Sequence, residues 1–274
     1  MPVISLNGAN HYFEQCGEGT PLVFIHGAFA DAHMWDSQWQ YFSANYSLLR
    51  YDLRGHGRTG ASSLDRYSME TFADDLGGLL EALDIQMPIL CGQSFGGSIA
   101  QAYAVRNPEK VRALILAGSM VAIDLSPMDK ILCRVLFPGW AMTAAIKAMS
   151  VEKFTHFSLW LGRITKGKQF LSRDDSVSRY LEQCMLQMNS SEYLKIWRAL
   201  YGFGLLPLER VSCPTLVLNG EHEPKSMQPH TKEVLRRIPH AEAGIVPDAH
   251  HASNMDNPQT FNRLLEDFLH RSKI

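Results

Sequence analysis

Several features that mark common classes of protein are missing from this chain of 274 residues. Its five cysteines are widely spaced and form no Cys-x-x-Cys pair, so neither a disulfide framework nor a zinc site is expected. No apolar run approaches the length of about 18 residues that crosses a membrane, so no integral membrane segment is expected. The net charge of −2 comes without a cluster rich in lysine and arginine, which argues against nucleic acid as a partner.

The start of the chain also lacks a targeting signal. Residues 1–10 have neither the basic beginning nor the apolar centre of a secretory signal peptide. Together with unpaired thiols, which are typical of a reducing compartment, this favours a soluble, cytoplasmic protein. The length and the hydrophobic share of 46% suit one α/β domain with an insertion, present as a monomer or a homodimer.

Short apolar runs alternate with helical patterns along most of the chain. This alternation predicts a mostly parallel, doubly wound sheet with helices on both faces. Between residues 120 and 206 only helical spacing occurs. We therefore predict a core domain formed by 1–119 and 207–274, with a helical cap inserted at 120–206. The predicted strands are 22–25, 47–52, 88–91, 111–117, 215–219 and 243–246.

Turn and cap residues add local detail to this pattern. Asn7-Gly8 predicts a type I′ hairpin within residues 3–16. Ser68 is placed to cap a helix that runs through Leu83. Two later helices are predicted, over 231–238 and from Pro258 to about 271.

A serine bracketed by glycines follows the strand predicted at 88–91. The segment Gly92-Gln93-Ser94-Phe95-Gly96-Gly97 is typical of a turn from strand to helix so sharp that no Cβ is tolerated two residues on either side of the serine. The turn exposes the Ser94 hydroxyl. It also places the Phe95 amide at a helix N-terminus, where an unpaired N–H can stabilise an oxyanion. Ser94 is therefore the predicted nucleophile.

A serine nucleophile needs a base, an acid that orients the base, and a second oxyanion donor. Each has a candidate at the end of a predicted strand. Ala28 offers an amide, Glu221-His222-Glu223 offers an acid, and His250-His251 offers a base. Because the carboxyl ends of parallel strands share one edge of a sheet, these groups are expected to lie near Ser94. Their order along the chain, serine, acid and histidine, fits this arrangement.

Five segments of the chain together carry a wider resemblance. The sequence resembles the α/β-hydrolase superfamily, in its haloperoxidase and esterase-like branch with a helical cap, over essentially the whole chain. The resemblance implies the α/β-hydrolase fold and favours hydrolysis, and it implies little about the substrate. The segments are His26-Gly27, Asp52-Leu53-Arg54-Gly55-His56-Gly57, 92–97, 214–223 and 251–258.

The resemblance also selects among the candidate acids and bases. Members usually carry Asp where Glu223 stands, so the carboxylate here is one methylene further from the backbone. Glu221 stays an alternative acid, and so does Asp124, because some relatives take the acid from that position. Counting back from the 254–258 segment selects His251 as the base and leaves His250 as a packing or surface residue.

The same resemblance assigns supporting roles to other polar residues of these segments. It implies that His56 fixes a loop, that Asp52 accepts hydrogen bonds from turn amides and that His26 holds the oxyanion loop. The histidines are scattered and form no helical metal-binding pair with a carboxylate, so neither a metal nor a cofactor is expected.

A cap inserted above Ser94 must contribute side chains to the space over the nucleophile. Its methionines and aromatic residues, and two aromatic residues near the oxyanion loop, are the candidates for contact with substrate. They are Phe29, Trp35, Met120, Met142, Trp160, Met185 and Trp197.

These residues predict a carboxylesterase-like serine hydrolase that cleaves a small or medium hydrophobic ester, lactone or thioester through an acyl-enzyme. Similar triads in the superfamily also cleave C–C bonds, open enol-lactones or act as cofactor-free haloperoxidases. Epoxide hydrolases and haloalkane dehalogenases are disfavoured, because they carry Asp where Ser94 stands. A different class is a small-molecule receptor that keeps the triad, from which an enzyme is distinguished by repeated turnover.

Overall fold

One twisted sheet runs through the molecule in the order β1-β2-β4-β3-β5-β6-β7-β8, in a computed structural model that describes residues 2–125, 130–136 and 138–274. The pairs β1/β2 and β2/β4 are antiparallel, and the other neighbouring pairs are parallel. The predicted mostly parallel sheet is therefore confirmed. Its strands are β1 Val3–Leu6, β2 Ala9–Cys16, β3 Thr20–Ile25, β4 Tyr46–Tyr51, β5 Ile89–Gln93, β6 Ala113–Ala117, β7 Thr215–Gly220 and β8 Ala241–Val246.

Helices connect the strands and cover both faces of the sheet. Along β3, Val23 and Ile25 pack into one apolar cluster, while Leu22 and Phe24 pack into a second cluster on the other face. This alternation is the two-residue period of a strand buried on both sides. The helices are α1 Asp36–Phe42, α2 Met69–Ala82, α3 Phe95–Arg106, α4 Gly139–Ala148, α5 Val151–Lys166, α6 Asp175–Leu186, α7 Ser190–Tyr201, α8 Gln228–Arg237, α9 Ser253–Asp256 and α10 Pro258–Arg271.

Local turn and cap signals are confirmed. Asn7 and Gly8 have φ values of 52° and 75°, the left-handed conformation that a type I′ turn requires at both central positions. The Ser68 hydroxyl accepts a hydrogen bond from the Thr71 amide at the start of α2, and the Ser68 amide donates to Thr71 Oγ1. These contacts satisfy amides that have no partner within the first helical turn.

Several predicted boundaries differ from the observed ones by one to three residues. The helix predicted to start at residue 231 begins at Gln228, because Pro229 is accommodated in the first turn, where an amide hydrogen is not needed. The strand predicted from residue 111 begins at Ala113.

The segment 120–206, predicted as a cap, lies between β6 and β7 and holds α4 to α7. Within its described residues no strand occurs; residues 126–129 and 137 of the predicted cap lie outside the described residues. Polar contacts join this segment to the core. The Tyr180 hydroxyl donates to Asp31 Oδ1 at 2.6 Å, and the Tyr67 hydroxyl donates to the buried Glu192 carboxylate. None of the described helices is long and apolar enough to span a membrane.

Candidate active site

Ser94 occupies a strained turn between β5 and α3. Its φ of 51° and ψ of −113° are rare for a residue with a side chain, and its amide donates to Ala117 O at 2.7 Å. A Cβ at Gly92 would lie 2.4 Å from Gly96 O, and one at Gly96 would lie 2.1 Å from Ile25 O. Both positions therefore require glycine, which is the geometry that the sequence predicts around a nucleophile.

His251 and Glu223 form a close pair at the same edge of the sheet. His251 Nδ1 donates to Glu223 Oε1 at 2.5 Å, and the Glu223 side chain is only 6% exposed. Glu223 follows β7, and His251 follows β8. A hydrogen bond to a carboxylate in such a low-dielectric position fixes the ring and leaves Nε2 as the free nitrogen. Gly118, with φ of 51°, leaves room beside the pair, because a Cβ there would lie 3.1 Å from His251 Nδ1.

Gln93 ties the nucleophile segment to the histidine. Its side chain is buried, and its Nε2 donates to His251 O at 3.1 Å. Its Oε1 lies against Gly27, where a Cβ would approach it to 2.2 Å. The residue next to Ser94 therefore contacts both the histidine segment and the oxyanion loop. This role was not predicted, although a polar residue that ends a buried strand directly before the serine is a usable signal in the sequence.

The two predicted oxyanion donors lie at the ends of β3 and β5. Phe95 is the first residue of α3, and the half-buried Ala28 follows β3. Across the residues that the structure describes, neither amide donates to a protein acceptor. The next residue, Phe29, has a left-handed φ of 63°, which turns the loop sharply after Ala28. Both amides are thus available to a bound oxygen.

His26 supports this loop as a neutral side chain. Its Nε2 accepts a hydrogen bond from the Leu53 amide at 2.9 Å, and its Nδ1 lies 2.8 Å from Gly27 O. Burial lowers the pKa of His26, which favours the neutral form that can accept at Nε2. The supporting role implied for His26 agrees with these contacts.

The loop after β4 is held by its own polar side chains. Asp52 Oδ1 accepts from the Ala32 amide at 2.8 Å, and Oδ2 accepts from the Arg58 amide at 2.7 Å. His56 Nδ1 donates to Arg54 O at 2.9 Å, and burial lowers the pKa of His56 to about 3. Asp52 and His56 therefore support the loop, as expected.

The other candidate acids and base have different surroundings. Glu221 is exposed, and its Oε2 accepts from the Asp248 amide at 3.0 Å. Asp124 is half-buried near the start of the predicted cap. The His250 amide donates to Asp256 Oδ2 at 2.8 Å, and burial lowers the pKa of this histidine. His250 is thus engaged with α9, consistent with a packing role.

One group of residues with metal-binding side chains does occur. Possible ligand atoms of Glu221, His222 and Asp248 lie within 4.8 Å of one another, and all three residues are exposed. Protein groups already engage two of these residues. Glu221 Oε2 accepts a hydrogen bond from the Asp248 amide, and Asp248 Oδ1 lies 3.3 Å from Arg173 Nη1.

Five of the seven predicted substrate-contact residues lie in or against the large apolar cluster on one face of the sheet. Phe29 stacks on Tyr193 of α7 at 4.4 Å between ring centroids, and Trp197 lies 5.9 Å from Phe29. The others are half-buried and pack against the same cluster; they are Met120, Met142 and Met185. Tyr193 itself, at 1% exposure, was not among the predicted residues.

The structure does not bring Trp35 or Trp160 to this cluster. Trp35 is fully buried on the other face of the sheet, where it stacks on Phe24 at 5.0 Å. Trp160 is 55% exposed and stacks on Phe157 at 6.0 Å on the surface of α5. Trp35 is close in sequence to the oxyanion loop and Trp160 belongs to the predicted cap, but neither feature determines where the ring packs.

Asp31 is a second residue that the sequence analysis missed. It accepts hydrogen bonds from Tyr180 and from the His33 amide, and Cys184 Sγ lies 3.6 Å from its Oδ2. Burial raises the pKa of Asp31, but these hydrogen bonds outweigh burial and lower it overall. An ionised carboxylate thus links the oxyanion loop to α6.

The fold and this edge of the sheet define the class of protein. A family model described as alpha/beta hydrolase fold matches residues 20–258, so the chain belongs to the α/β-hydrolase family. Both the predicted family and the predicted fold are confirmed.

Known proteins share this architecture over most of their length. The chain is 28% identical over 272 residues to the (E)-2-((N-methylformamido)methylene)succinate hydrolase of Acinetobacter baylyi, covering 97% of this chain and 96% of that protein. It is 29% identical over 274 residues to epoxide hydrolase 3 of Xenopus tropicalis, covering 94% and 74%. The enol-lactonase structure from Burkholderia xenovorans LB400 matches with a TM-score of 0.82 at 23% identity, covering 98% and 99%.

Proposed function

We propose that this α/β-hydrolase is a serine hydrolase that cleaves small or medium hydrophobic carboxylic esters through an acyl-enzyme. The observation that carries the proposal is the 2.5 Å contact between His251 Nδ1 and Glu223 Oε1, at the edge of the sheet where the strained Ser94 turn lies. A nucleophile, a base and an orienting acid with two available amides form the set of groups that acyl transfer requires.

In the first half of the reaction, His251 Nε2 takes the proton from Ser94 Oγ as this oxygen attacks the ester carbonyl carbon. The carbonyl oxygen becomes an oxyanion and accepts hydrogen bonds from the amides of Ala28 and Phe95. Glu223 stays ionised, keeps the proton on Nδ1 and stabilises the imidazolium. Because the Glu223 side chain is buried, this stabilisation is stronger than it would be in water.

The second half of the reaction restores the enzyme. His251 passes its proton to the leaving alkoxide, and the alcohol departs from the Ser94 acyl-enzyme. Water then gives a proton to His251 and attacks the acyl carbon, and collapse of the second tetrahedral intermediate releases the carboxylic acid. Ser94 Oγ recovers its proton from His251, and no cofactor takes part in these steps.

The choice of hydrophobic esters depends on the apolar cluster beside the oxyanion loop. Phe29 packs against Tyr193 and Trp197 there, and half-buried methionines pack against the same large apolar cluster. Burying an apolar acyl group against such side chains is favourable by about 25 cal/mol per Å². The named relatives act on different bonds, so the preference for esters depends on the residues of this chain.

Steady-state hydrolysis of p-nitrophenyl esters of rising acyl length tests the proposal. Wild type is expected to turn over many times, and Ser94→Ala is expected to lower kcat by about 10⁴-fold or more. A fluorophosphonate probe is expected to label Ser94 alone, as located by peptide mass spectrometry. Ser226→Ala, at an exposed serine, is the matched control and should retain wild-type kinetics.

Other outcomes would contradict ester hydrolysis. If wild type cleaves vinylogous diketones and leaves every ester intact, the runner-up, a C–C hydrolase, replaces it. If wild type stops after one equivalent of substrate while ligand changes hydrogen exchange in α4 to α7, the chain acts as a small-molecule receptor.

A further inference from the structure

Charge is divided unevenly between the first half of the predicted cap and the rest of the chain. Residues 120–168 contain seven Lys or Arg and three Asp or Glu, whereas the remaining sequence contains 19 and 25. The first half of the cap therefore has a positive formal charge on a protein whose net charge is negative. Such a separation favours a partner with a negative surface.

The helix at the centre of this basic segment also has an exposed apolar stripe. Phe157, Trp160 and Ile164 of α5 are 37%, 55% and 62% exposed, although each is large and apolar. Their spacing of three and four residues places them on one face of the helix. The opposite face is already used, because Thr155 and Leu159 are buried there. The stripe is therefore additional to what the fold needs.

Basic side chains accompany the stripe. Lys153 lies four residues before Phe157 on the same face, Arg163 adjoins Ile164, and both basic residues are exposed. We call this set of residues, Lys153, Phe157, Trp160, Arg163 and Ile164, the α5 face.

A groove beside the α5 face has the same mixed character. Its volume is about 500 Å³, and Trp160 and Ile164 line it together with Phe170. Arg163 and Lys168 also line it, as does the carboxylate of Asp175. An apolar wall next to two cations suits a molecule with a hydrocarbon chain and an anionic head.

We propose that the α5 face docks on the surface of an anionic lipid bilayer. An amphipathic helix with aromatic residues on its apolar side and Lys or Arg beside them lies in the interface between lipid and water. Basic side chains near an anionic membrane surface are attracted to it electrostatically. The helix lies on the membrane and does not cross it, in keeping with its length and charge.

A second copy of the chain is a weaker fit to the same face. A two-fold dimer through the α5 face would bring two positive segments together, and like-charge juxtaposition across an interface is costly. An anionic lipid surface satisfies the apolar stripe and the basic residues together. Docking of the α5 face on a bilayer does not depend on whether the protein hydrolyses esters.

Co-sedimentation of the full chain with vesicles tests the docking. The vesicles are phosphatidylcholine alone, or phosphatidylcholine mixed with phosphatidylglycerol. Wild type is expected to bind the mixed vesicles, with a blue shift in tryptophan emission, and to release them as salt screens the charges. The double variants W160S/I164S and K153E/R163E should each lower the apparent affinity about tenfold or more.

Matched controls distinguish binding through the α5 face from nonspecific binding to vesicles. Ile245→Ser, at a residue 57% exposed on β8, and Lys110→Glu, at an exposed lysine of the core, should bind as wild type does. Thermal unfolding followed by circular dichroism verifies that every variant is folded. Absence of wild-type binding to the mixed vesicles, or equal losses in the controls, would overturn the proposal. So would a dimer in light scattering that W160S/I164S converts to a monomer, because a second copy would then cover the face.

Discussion

The core and the cap segment of this chain differ in how fully their side chains are buried. In the core, the central strands are buried on both faces, and Ser94, Glu223 and His251 follow strand ends at one edge of the sheet. In the cap segment, methionines are half-buried and several aromatic side chains are exposed. The comparison favours a division in which the core holds the proposed reacting groups, and the cap segment presents the surfaces proposed to meet substrate and membrane.

Several polar contacts join the two regions, and one of them reaches the oxyanion loop. Tyr180 of α6 bonds to Asp31, three residues after Ala28 in the oxyanion loop. Glu192 of α7 accepts from Tyr67, and Lys195 Nζ lies 2.7 Å from Glu192. The cap segment thus contacts the loop that carries Ala28, a proposed oxyanion donor.

The largest difference between the regions is expected for glycine substitutions. Gly96→Ala puts a Cβ 2.1 Å from Ile25 O, a backbone atom that cannot move aside. We expect a loss of more than about 4 kcal/mol in the free energy of unfolding, or failure to fold. Gly204→Ala, with nothing within 4 Å of the added Cβ, should change this free energy by less than about 1 kcal/mol. Urea unfolding measures the free energy for both variants. Equal losses in the two variants would contradict the difference in packing between the core and the cap segment.

A smaller effect is expected in the pH dependence of the unfolding free energy, to which a buried histidine of the core contributes and an exposed histidine does not. Burial lowers the pKa of His56 to about 3, so the unfolded chain binds a proton there near pH 6.5 while the folded protein does not. Its contribution is complete above about pH 6.5 and falls as the pH falls towards 3. Between pH 7 and pH 5 the expected loss is about 2 kcal/mol.

Urea unfolding at several pH values measures this loss. His56→Asn should flatten the pH dependence of the unfolding free energy, whatever its effect at pH 7. His270→Gln, at an exposed histidine, should leave the slope as it is in wild type. A slope unchanged by His56→Asn would mean that folding does not lower the pKa of this side chain.

The smallest effect concerns the contact between core and cap segment. Tyr180→Phe removes the hydroxyl that donates to Asp31 at 2.6 Å, and we expect a loss of about 1.5 kcal/mol in the free energy of unfolding. Tyr41→Phe is the matched control, because its hydroxyl bonds to Glu266 at 2.7 Å on the exposed surface. Its loss should stay below about 0.5 kcal/mol. Hydrogen exchange in α6 should rise only in Tyr180→Phe.

The core was largely predictable because its signals are local. The apolar run before Gly92 and the glycines around Ser94 dictate a strand, a sharp turn and a helix. Asn7-Gly8 likewise dictates a hairpin through backbone conformation alone. Strand ends were therefore placed within about two residues.

The sequence predicted that the cap segment is helical, but it did not predict which helix faces are buried and which are exposed. Helical spacing tells which residues share a face, but it does not tell which neighbour covers that face. Trp160 was therefore expected near substrate and is exposed, and Trp35 was expected there and packs beneath the sheet. Gln93 and Asp31 escaped prediction because their partners are distant in sequence.

The most direct test of the proposed site compares two carboxylates. Glu223→Gln keeps the size of the side chain but removes the charge beside His251, so kcat for the best p-nitrophenyl ester should fall by about 10²- to 10⁴-fold. Asp124→Asn should stay within about threefold of wild type. The opposite pattern, near full activity in Glu223→Gln and a large loss in Asp124→Asn, would contradict the pairing of Glu223 with His251 as the catalytic arrangement.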